Sequence, residues 1–425
     1  MRGVGGEYNF VAMAHAPPAD PNGGVTEPVT MQAMEQSLVV VGGGIGGLAT
    51  ALAVARAGAS VRVLEQAQAF AELGAGIQLG PNVVRVLQHW GLETALRQVA
   101  AFPERLEVRN ALNARLLGVL PLGDRAVARY GAAYATVARA DLHSLLLSAV
   151  QAQPNVDMQL DTVLTTVQQN AEQVELCTTQ GKSIATALLV GADGLWSRVR
   201  QHLLPGSQPQ ATGHLAFRAM VKQSSLPARV RSQVITAWLG PKFHAVQYPV
   251  RGGDWLNIVV IVQGHSPGDP SSWDHSANAH ELRARLAQAQ APLLDLIHAV
   301  NEWRLWPLYD RPPMASARDQ AQGRIALLGD AAHPMRPFLA QGAGMALEDA
   351  QQLVASLQTH PGDVQAALAH YAQVRWQRNA RVQARALRNG EIFHLRGPMR
   401  LGRDLSLKLL GKRLLDMPWL YGYKI

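Results

Sequence analysis

Near its beginning the chain reads Leu38-Val39-Val40-Val41-Gly42-Gly43-Gly44-Ile45-Gly46-Gly47, and few ten-residue stretches restrict a fold so far. Four apolar residues suit a buried strand. They run into G-x-G-x-x-G, formed by Gly42, Gly44 and Gly47, then into an Ala-rich helical stretch from Leu48 to Ala57 that Gly58 ends. A second strand, Ser60 to Leu64, finishes at Glu65. Strand, glycine turn, helix, strand, acid is one βαβ unit of a parallel sheet.

Each part has a physical task. Gly42 allows the tight strand-to-helix turn, Gly44 lets backbone approach a pyrophosphate, and Gly47 lets the helix pack on the sheet. The helix N-terminus offers free N–H groups and partial positive charge to phosphates. Glu65 stands 18 positions after Gly47 (65 − 47), where a carboxylate can accept bonds from a ribose. It would repel a 2′-phosphate, so the site suits FAD or NAD and not NADP. A glycine-rich connection without a ligand leaves the position of Glu65 unexplained.

Downstream, Leu106 to Leu122 reads as a hairpin, Ala140 to Gln151 as a helix, and Ala187 to Val190 as a buried strand ending at Gly191-Ala192-Asp193-Gly194. Between Gly213 and Val262 the texture alternates. The stretches Leu215 to Val221, Val234 to Leu239, Phe243 to Pro249 and Trp255 to Val262 predict an antiparallel sheet with one face toward a core. The segment Gly323 to Asp330 returns to a buried strand followed by an acid, with a helix from Met345 to Leu357 beyond it. There is no internal repeat. At 425 residues two packed lobes are expected.

The net charge of +8 invites a nucleic-acid reading that its location excludes. From Arg375 to Arg413 there are eleven Lys or Arg against Glu391 and Asp404, an excess of nine. No nucleic-acid motif or row of stacking aromatics accompanies this stretch. It predicts a solvated face on C-terminal helices, with a membrane-surface role for Leu401 to Leu415 as the second reading. One cysteine, Cys177, allows no intrachain disulfide and no thiolate metal site, which fits the cytoplasm. No metal set, and no apolar run long enough to span a bilayer, is expected. Residues 1–36, rich in Gly, Pro and Ala, read as a disordered leader.

The glycine turn alone does not say which dinucleotide is bound; that comes from reading it with later segments. The landmarks are Gly42 to Gly47 with Glu65; Gly74-Ala75-Gly76-Ile77-Gln78-Leu79-Gly80-Pro81-Asn82; Arg139-Ala140-Asp141-Leu142; Gly191-Ala192-Asp193-Gly194 with Ser197 and Arg200; and Gly329-Asp330-Ala331-Ala332-His333-Pro334. In this order they resemble the FAD-dependent aromatic hydroxylases of the p-hydroxybenzoate hydroxylase fold, most closely the salicylate hydroxylase and 3-hydroxybenzoate 6-hydroxylase branch, from about Leu38 to Arg381. The resemblance implies an α/β fold: a Rossmann-type FAD-binding domain, a substrate domain built on a mixed or antiparallel sheet, and C-terminal helices. The expected division is residues 37–105, 135–205 and 319–360 for FAD, 106–134 and 206–318 for substrate, and 361–425 for the helical end.

The same resemblance implies Asp330 on the ribityl hydroxyls, Arg139 near the pyrophosphate and ribityl chain, and Asp193 in a motif that touches flavin and pyridine nucleotide. Gly342 and Gly344 would open a helix toward the flavin pyrimidine edge, where negative charge gathers on reduction. Plainer roles stand beside these: a turn for Asp193-Gly194, a surface ion pair for Arg139, a structural hydrogen bond for His333. The implied partners are a small aromatic substrate, NADH or NADPH without a Rossmann domain of its own, and dioxygen; no nucleic acid or integral membrane partner is expected, and a homodimer is compatible. The implied chemistry is hydroxylation of a phenolic or aromatic carboxylic acid through a flavin C4a-hydroperoxide.

On the predicted strand Gly213-His214-Leu215-Ala216-Phe217-Arg218, His214, Ala216 and Arg218 share a face. His214 suits a phenolic proton and Arg218 a carboxylate. The same pair also suits a hydrogen bond within the sheet and an internal ion pair. Relatives carry Tyr where Phe217 stands, so a hydroxyl contact to substrate is expected to be missing. Trp238, Tyr248 and Trp255 are expected in pocket or core. Neither G-x-S-x-G nor H-E-x-x-H occurs, which fits chemistry without a protein nucleophile. The rivals are a flavin-dependent dehydrogenase or halogenase, whose W-x-W-x-I-P pattern Trp303-Arg304-Leu305-Trp306-Pro307 does not match, and a nonenzymatic flavin-binding redox sensor.

Overall fold

The computed structural model describes residues 38–70, 75–264, 275–277 (backbone only) and 279–424. The expected leader and Gly74 lie outside the described residues.

The glycine-turn unit forms from strand Leu38–Val41, helix Ile45–Arg56 and strand Val61–Leu64. The helix starts three residues before the alanine run, because the turn's own glycines enter its first turn. Leu38–Val41 lies inside a six-stranded sheet. It pairs in parallel with Val61–Leu64 on one side and Leu188–Gly191 on the other. Val156–Gln159 and Ile325–Leu327 extend the parallel order outward, and Ala321–Gln322 closes one edge antiparallel. Both faces are covered at the centre, so Leu38–Val41, Leu188–Gly191 and Ile325–Leu327 are continuous buried runs with no alternation, whereas the edge strand Val156–Gln159 is polar and half-exposed. Leu48 and Leu52, Leu146 of helix Arg139–Gln151, and Leu353 of helix Gly342–Thr359 bury one face. A three-stranded antiparallel sheet, Leu164–Gln169, Val174–Thr178 and Ser183–Thr186, buries the other through Leu164, Val174 and Leu176.

The second sheet has eight strands in the order His275–Ala277, Trp303–Asp310, Gln210–Lys222, Trp255–Gln263, Phe243–Val250, Ile235–Gly240, Arg105–Asn110, Leu116–Pro121. The early hairpin joins through one parallel pairing, Ile235–Gly240 with Arg105–Asn110. Alternation sorts its two faces. Leu215, Phe217 and Ala219 pack against Leu282 and Leu293 of helices Ala279–Arg285 and Ala291–His298. His214, Ala216 and Arg218 look the other way, toward the parallel-sheet lobe.

The C-terminal charge corrects the expectation of a wholly solvated face. Within helix Val364–Phe393, Arg375 is fully buried. Its Nη1 lies 2.8 Å from Glu348 and its Nε 2.7 Å from Asp349. Arg378 donates to Glu348 at 2.7 Å. Both acids belong to helix Gly342–Thr359, so part of the basic excess neutralises a buried acid pair. Helix Gly397–Leu415 and the short turn Pro418–Tyr421 complete the chain. Among the described residues no helix is long and apolar enough to cross a membrane.

Candidate active site

At the carboxyl ends of the parallel strands lies a cleft of about 750 Å³, the place where open α/β sheets bind ligands. Gly42, Gly44, Glu65, Arg139, Asp193, Asp330 and Gly342 all line it, drawn from positions nearly the whole chain apart. So do Gln66, Thr162, Trp196, Arg198 and Gln201, which no sequence motif singled out; their signal is only their nearness to strand ends.

The three glycines separate by cause. Gly42 has φ +105° and a Cβ there would overlap the Ala192 carbonyl. A Cβ on Gly47 would overlap the Gly42 carbonyl, so both are demanded by the fold. Gly44 has an ordinary φ of −74°, and a Cβ there would meet no protein atom within 4 Å. Nothing in the protein requires glycine at that position, which opens on the cleft at the start of helix Ile45–Arg56. A pyrophosphate against the turn fits that space. Glu65 accepts from Gly43 N–H at 2.6 Å and Ala67 N–H at 2.8 Å, one bond per oxygen, so it is fixed at the rim with lone pairs to spare.

Asp330 follows strand Ile325–Leu327 in the turn Gly329–Ala331 and is exposed. Its Oδ1 is 4.0 Å from where a Gly342 Cβ would stand. The helix that Gly342 opens has no side-chain cap, so its first amides are left for another acceptor. A strand-end carboxylate beside free amides suits a polyol and an anionic ring edge. Gly344 is a correction. It does not line the cleft; a Cβ there would sit 2.6 Å from Val83, so its smallness serves helix packing.

The Asp193 segment proves to be a brace. Asp193 accepts from Arg198 N–H at 2.8 Å and Val199 N–H at 3.2 Å, and Ser197 Oγ accepts from Arg200 N–H at 2.8 Å. These cap helix Arg198–Leu203. Arg200 then donates to the carbonyls of Ala331 at 3.1 Å and Ala332 at 2.7 Å, locking this segment to the Asp330 turn. Burial raises the Asp193 pKa, against the hydrogen bonds from Ser197 and the backbone, and Asp193 Oδ1 has no partner. Arg139 begins helix Arg139–Gln151, its N–H held by the Ala75 carbonyl at 2.6 Å. His333 is the structural residue expected as its plainer role, bonded to Asp349 at 2.5 Å.

On the second sheet, Arg218 is half-buried, stacked over Trp306 at 4.0 Å, and has no ion pair among the described residues. The internal ion pair entertained from sequence is not formed; Arg218 Nε has no hydrogen-bond partner. Burial lowers its pKa to about 10, with Tyr248 opposing and Arg139 adding to the shift, so it stays a cation at neutral pH. His214 Nδ1 bonds to the Thr212 carbonyl at 2.9 Å. A carbonyl only accepts, so Nδ1 carries the proton and Nε2 keeps its lone pair. Burial lowers the His214 pKa, chiefly against that backbone bond, favouring the neutral base.

His214 and Arg218 do not meet: Phe338 packs on Ala216 between them. Two residues that the sequence did not flag, His244 and His394, share a 2.9 Å hydrogen bond and pack around Phe338 with His214. The Phe217 expectation is corrected. Its ring is fully buried on the opposite face, so the identity of that side chain cannot add or remove a substrate contact. Trp238 lies in the same far core, while Tyr248 is on the cleft side, against Gly76. Gly76 N–H donates to Asn257 Oδ1 at 2.6 Å, which ties the Gly76 motif to the second sheet.

The fold and the cleft define a flavoprotein of the Rossmann type. A family model described as an FAD binding domain matches residues 35–386. The 3-hydroxybenzoate 6-hydroxylase of Polaromonas naphthalenivorans is 35% identical over 391 residues, covering 91% of this chain and 96% of that one. The 6-hydroxynicotinate 3-monooxygenase of Bordetella bronchiseptica is 38% identical over 348 residues, 81% and 89% of the two chains. A salicylate hydroxylase solved with substrate superposes with a TM-score of 0.77 at 28% identity, over 92% and 96%. The chain belongs to the FAD-dependent aromatic hydroxylases, and is thus a flavoprotein monooxygenase.

Proposed function

We propose that this enzyme hydroxylates a small aromatic ring bearing a carboxylate and a phenolic hydroxyl, with NADH or NADPH and dioxygen as co-substrates. The observation that carries the reading is Arg218, a half-buried cation whose Nε is buried without a hydrogen-bond partner and which meets no anion among the described residues. Such a charge is costly to keep in a folded chain unless a ligand completes it.

FAD is held by the Gly42 to Gly47 turn at its pyrophosphate, by Glu65 at the adenosine ribose, by Asp330 and Arg139 along the ribityl chain, and by the Gly342 helix end at the ring. Bound there, it supplies hydride acceptance and transfer of one oxygen atom from dioxygen. Arg218 anchors the carboxylate by paired N–H donors. His214 Nε2 takes the phenolic proton, which raises electron density on the ring. Phe338, clamped by His244, His394 and the Asn389 amide at 3.1 Å, walls the site from water. Residues 37–105, 135–205 and 319–360 form the cofactor unit and 106–134 with 206–318 the substrate unit. One cysteine supports residence in the cytoplasm. A homodimer is compatible, since cleft and sheet face come from one chain.

The test adds hydroxybenzoates and the matching uncharged benzamides to the FAD-loaded protein. Flavin absorbance, NADH oxidation and product are followed together. The acids should shift the spectrum, speed NADH oxidation and yield a ring with one more hydroxyl; the amides should do none of these. NADH oxidation that ignores every phenol and gives only hydrogen peroxide would overturn the proposal.

A further inference from the structure

Helix Gly397–Leu415 bears five Lys or Arg and one acid, and takes no part in the cleft. Arg403, Leu407 and Gly411 are its buried residues. They seat it on strand Leu116–Pro121, where a Gly411 Cβ would come 3.0 Å from Gly118 Cα. At 3.6 residues per turn the side directly opposite is the row Leu401, Leu405 and Leu409, and these leucines are 61%, 58% and 71% exposed. Met399 and Leu410, 67% and 48% exposed, lie off this row, on the flank toward the seated side. Single exposed leucines are ordinary; a continuous ridge of them on a helix fixed to the protein is not.

The charges beside the ridge say what covers it. Lys408 and Lys412 flank the row on one side and Arg413 on the other, all exposed. Asp404, the helix's one acid, is held by Arg403 at 2.7 Å, so no free negative charge offsets them. A second copy docking by the same face would set these cations against each other. The helix footprint, about 28 Å by 10 Å, is also well short of the roughly 800 Å² per partner that stable dimers bury. An anionic phospholipid surface satisfies both features. The leucines enter the acyl boundary while the lysine and arginine stems reach outward to the phosphates. We propose that this helix docks the enzyme reversibly on an anionic membrane surface. The proposal does not depend on the assigned reaction.

The experiment is co-sedimentation of the FAD-loaded full chain with vesicles of phosphatidylcholine alone or mixed with phosphatidylglycerol. Binding to the mixed vesicles should exceed that to neutral ones roughly tenfold and fall steeply between about 0.1 M and 0.5 M salt. The double variant Leu405→Glu/Leu409→Glu should lose it, and Lys408→Glu/Lys412→Glu should weaken it, both keeping wild-type flavin content and thermal midpoint. No binding to anionic vesicles overturns the proposal. So does equal binding to both lipids, or binding that survives both double variants. A dimer by light scattering that Leu405→Glu/Leu409→Glu dissociates would make the ridge a subunit interface and overturn it as well.

Discussion

Gly44 and Gly47 stand three residues apart in one motif, yet the physical demands on them differ. Gly47→Ala drives a methyl into the Gly42 carbonyl and should destabilise the fold by several kcal/mol, on the order of other overpacked sites. Gly44→Ala meets only open space. It should leave the thermal midpoint of the flavin-free protein unchanged and weaken FAD retention on the order of tenfold or more. Flavin absorbance and differential scanning calorimetry on the two variants separate the cases; equal unfolding in both would sink the assignment of Gly44 to the ligand. Arg218 is the converse case, a residue whose presence costs stability. Arg218→Met keeps volume and removes a half-buried unpaired charge, so the flavin-free protein should gain up to about 1 kcal/mol. Hydroxybenzoate, titrated by flavin absorbance, should bind the variant about 10- to 100-fold more weakly. A loss of both stability and binding would instead point to an unseen internal partner for Arg218.

The elements show what the sequence made legible and what it hid. Strands buried on both faces, such as Leu38–Val41 and Leu188–Gly191, announce themselves because every residue is apolar. The small sheet Leu164–Thr186 did not, since its strands are only four to six residues long and the first, Leu164–Gln169, breaks strict alternation at a register shift. The cofactor half of the site was readable as motifs because a glycine or a strand-end acid carries its reason locally. His244 and His394 were not, since a contact 150 positions apart leaves no periodic trace. The charge on helix Val364–Phe393 misled for a similar reason: Arg375 and Arg378 look solvated until helix Gly342–Thr359 is laid beside them. That pairing makes a test of the element. Burial pushes the Asp349 carboxyl up, but His333 and Arg375 outweigh it and hold its pKa at about 2. The folded value lies below the unfolded one of about 3.9, so the stabilisation is complete above about pH 4 and is lost as pH falls toward 2. Asp349→Asn should cost on the order of 3 kcal/mol at pH 7, a drop of several degrees in the thermal midpoint, and should flatten the acid limb of stability. An unchanged acid limb would show that this pair does not hold the two helices.

At the scale of the molecule the cleft is lined by segments near residues 41–66, 139, 162–164, 192–201 and 328–346, so one bound cofactor bridges much of the parallel-sheet lobe. Binding to the folded state alone must then raise its stability by about 2.7 kcal/mol at a hundredfold excess of FAD over its dissociation constant. For a chain of this size that is a rise of several degrees in the midpoint. Asp330 isolates this linkage. Its carboxylate is exposed at a strand end and carries no protein hydrogen bond or ion pair, so Asp330→Ala removes nothing from the fold itself. The flavin-free variant should melt where the flavin-free wild type does, because no internal contact is lost. Its midpoint should hardly respond to FAD at concentrations that shift the wild type fully, because the grip on the ribityl chain is gone. A variant that still rises with FAD along the wild-type curve would mean that the glycine turn and Arg139 hold the cofactor unaided. A variant that melts lower without flavin would give Asp330 a structural duty that its exposed position does not show.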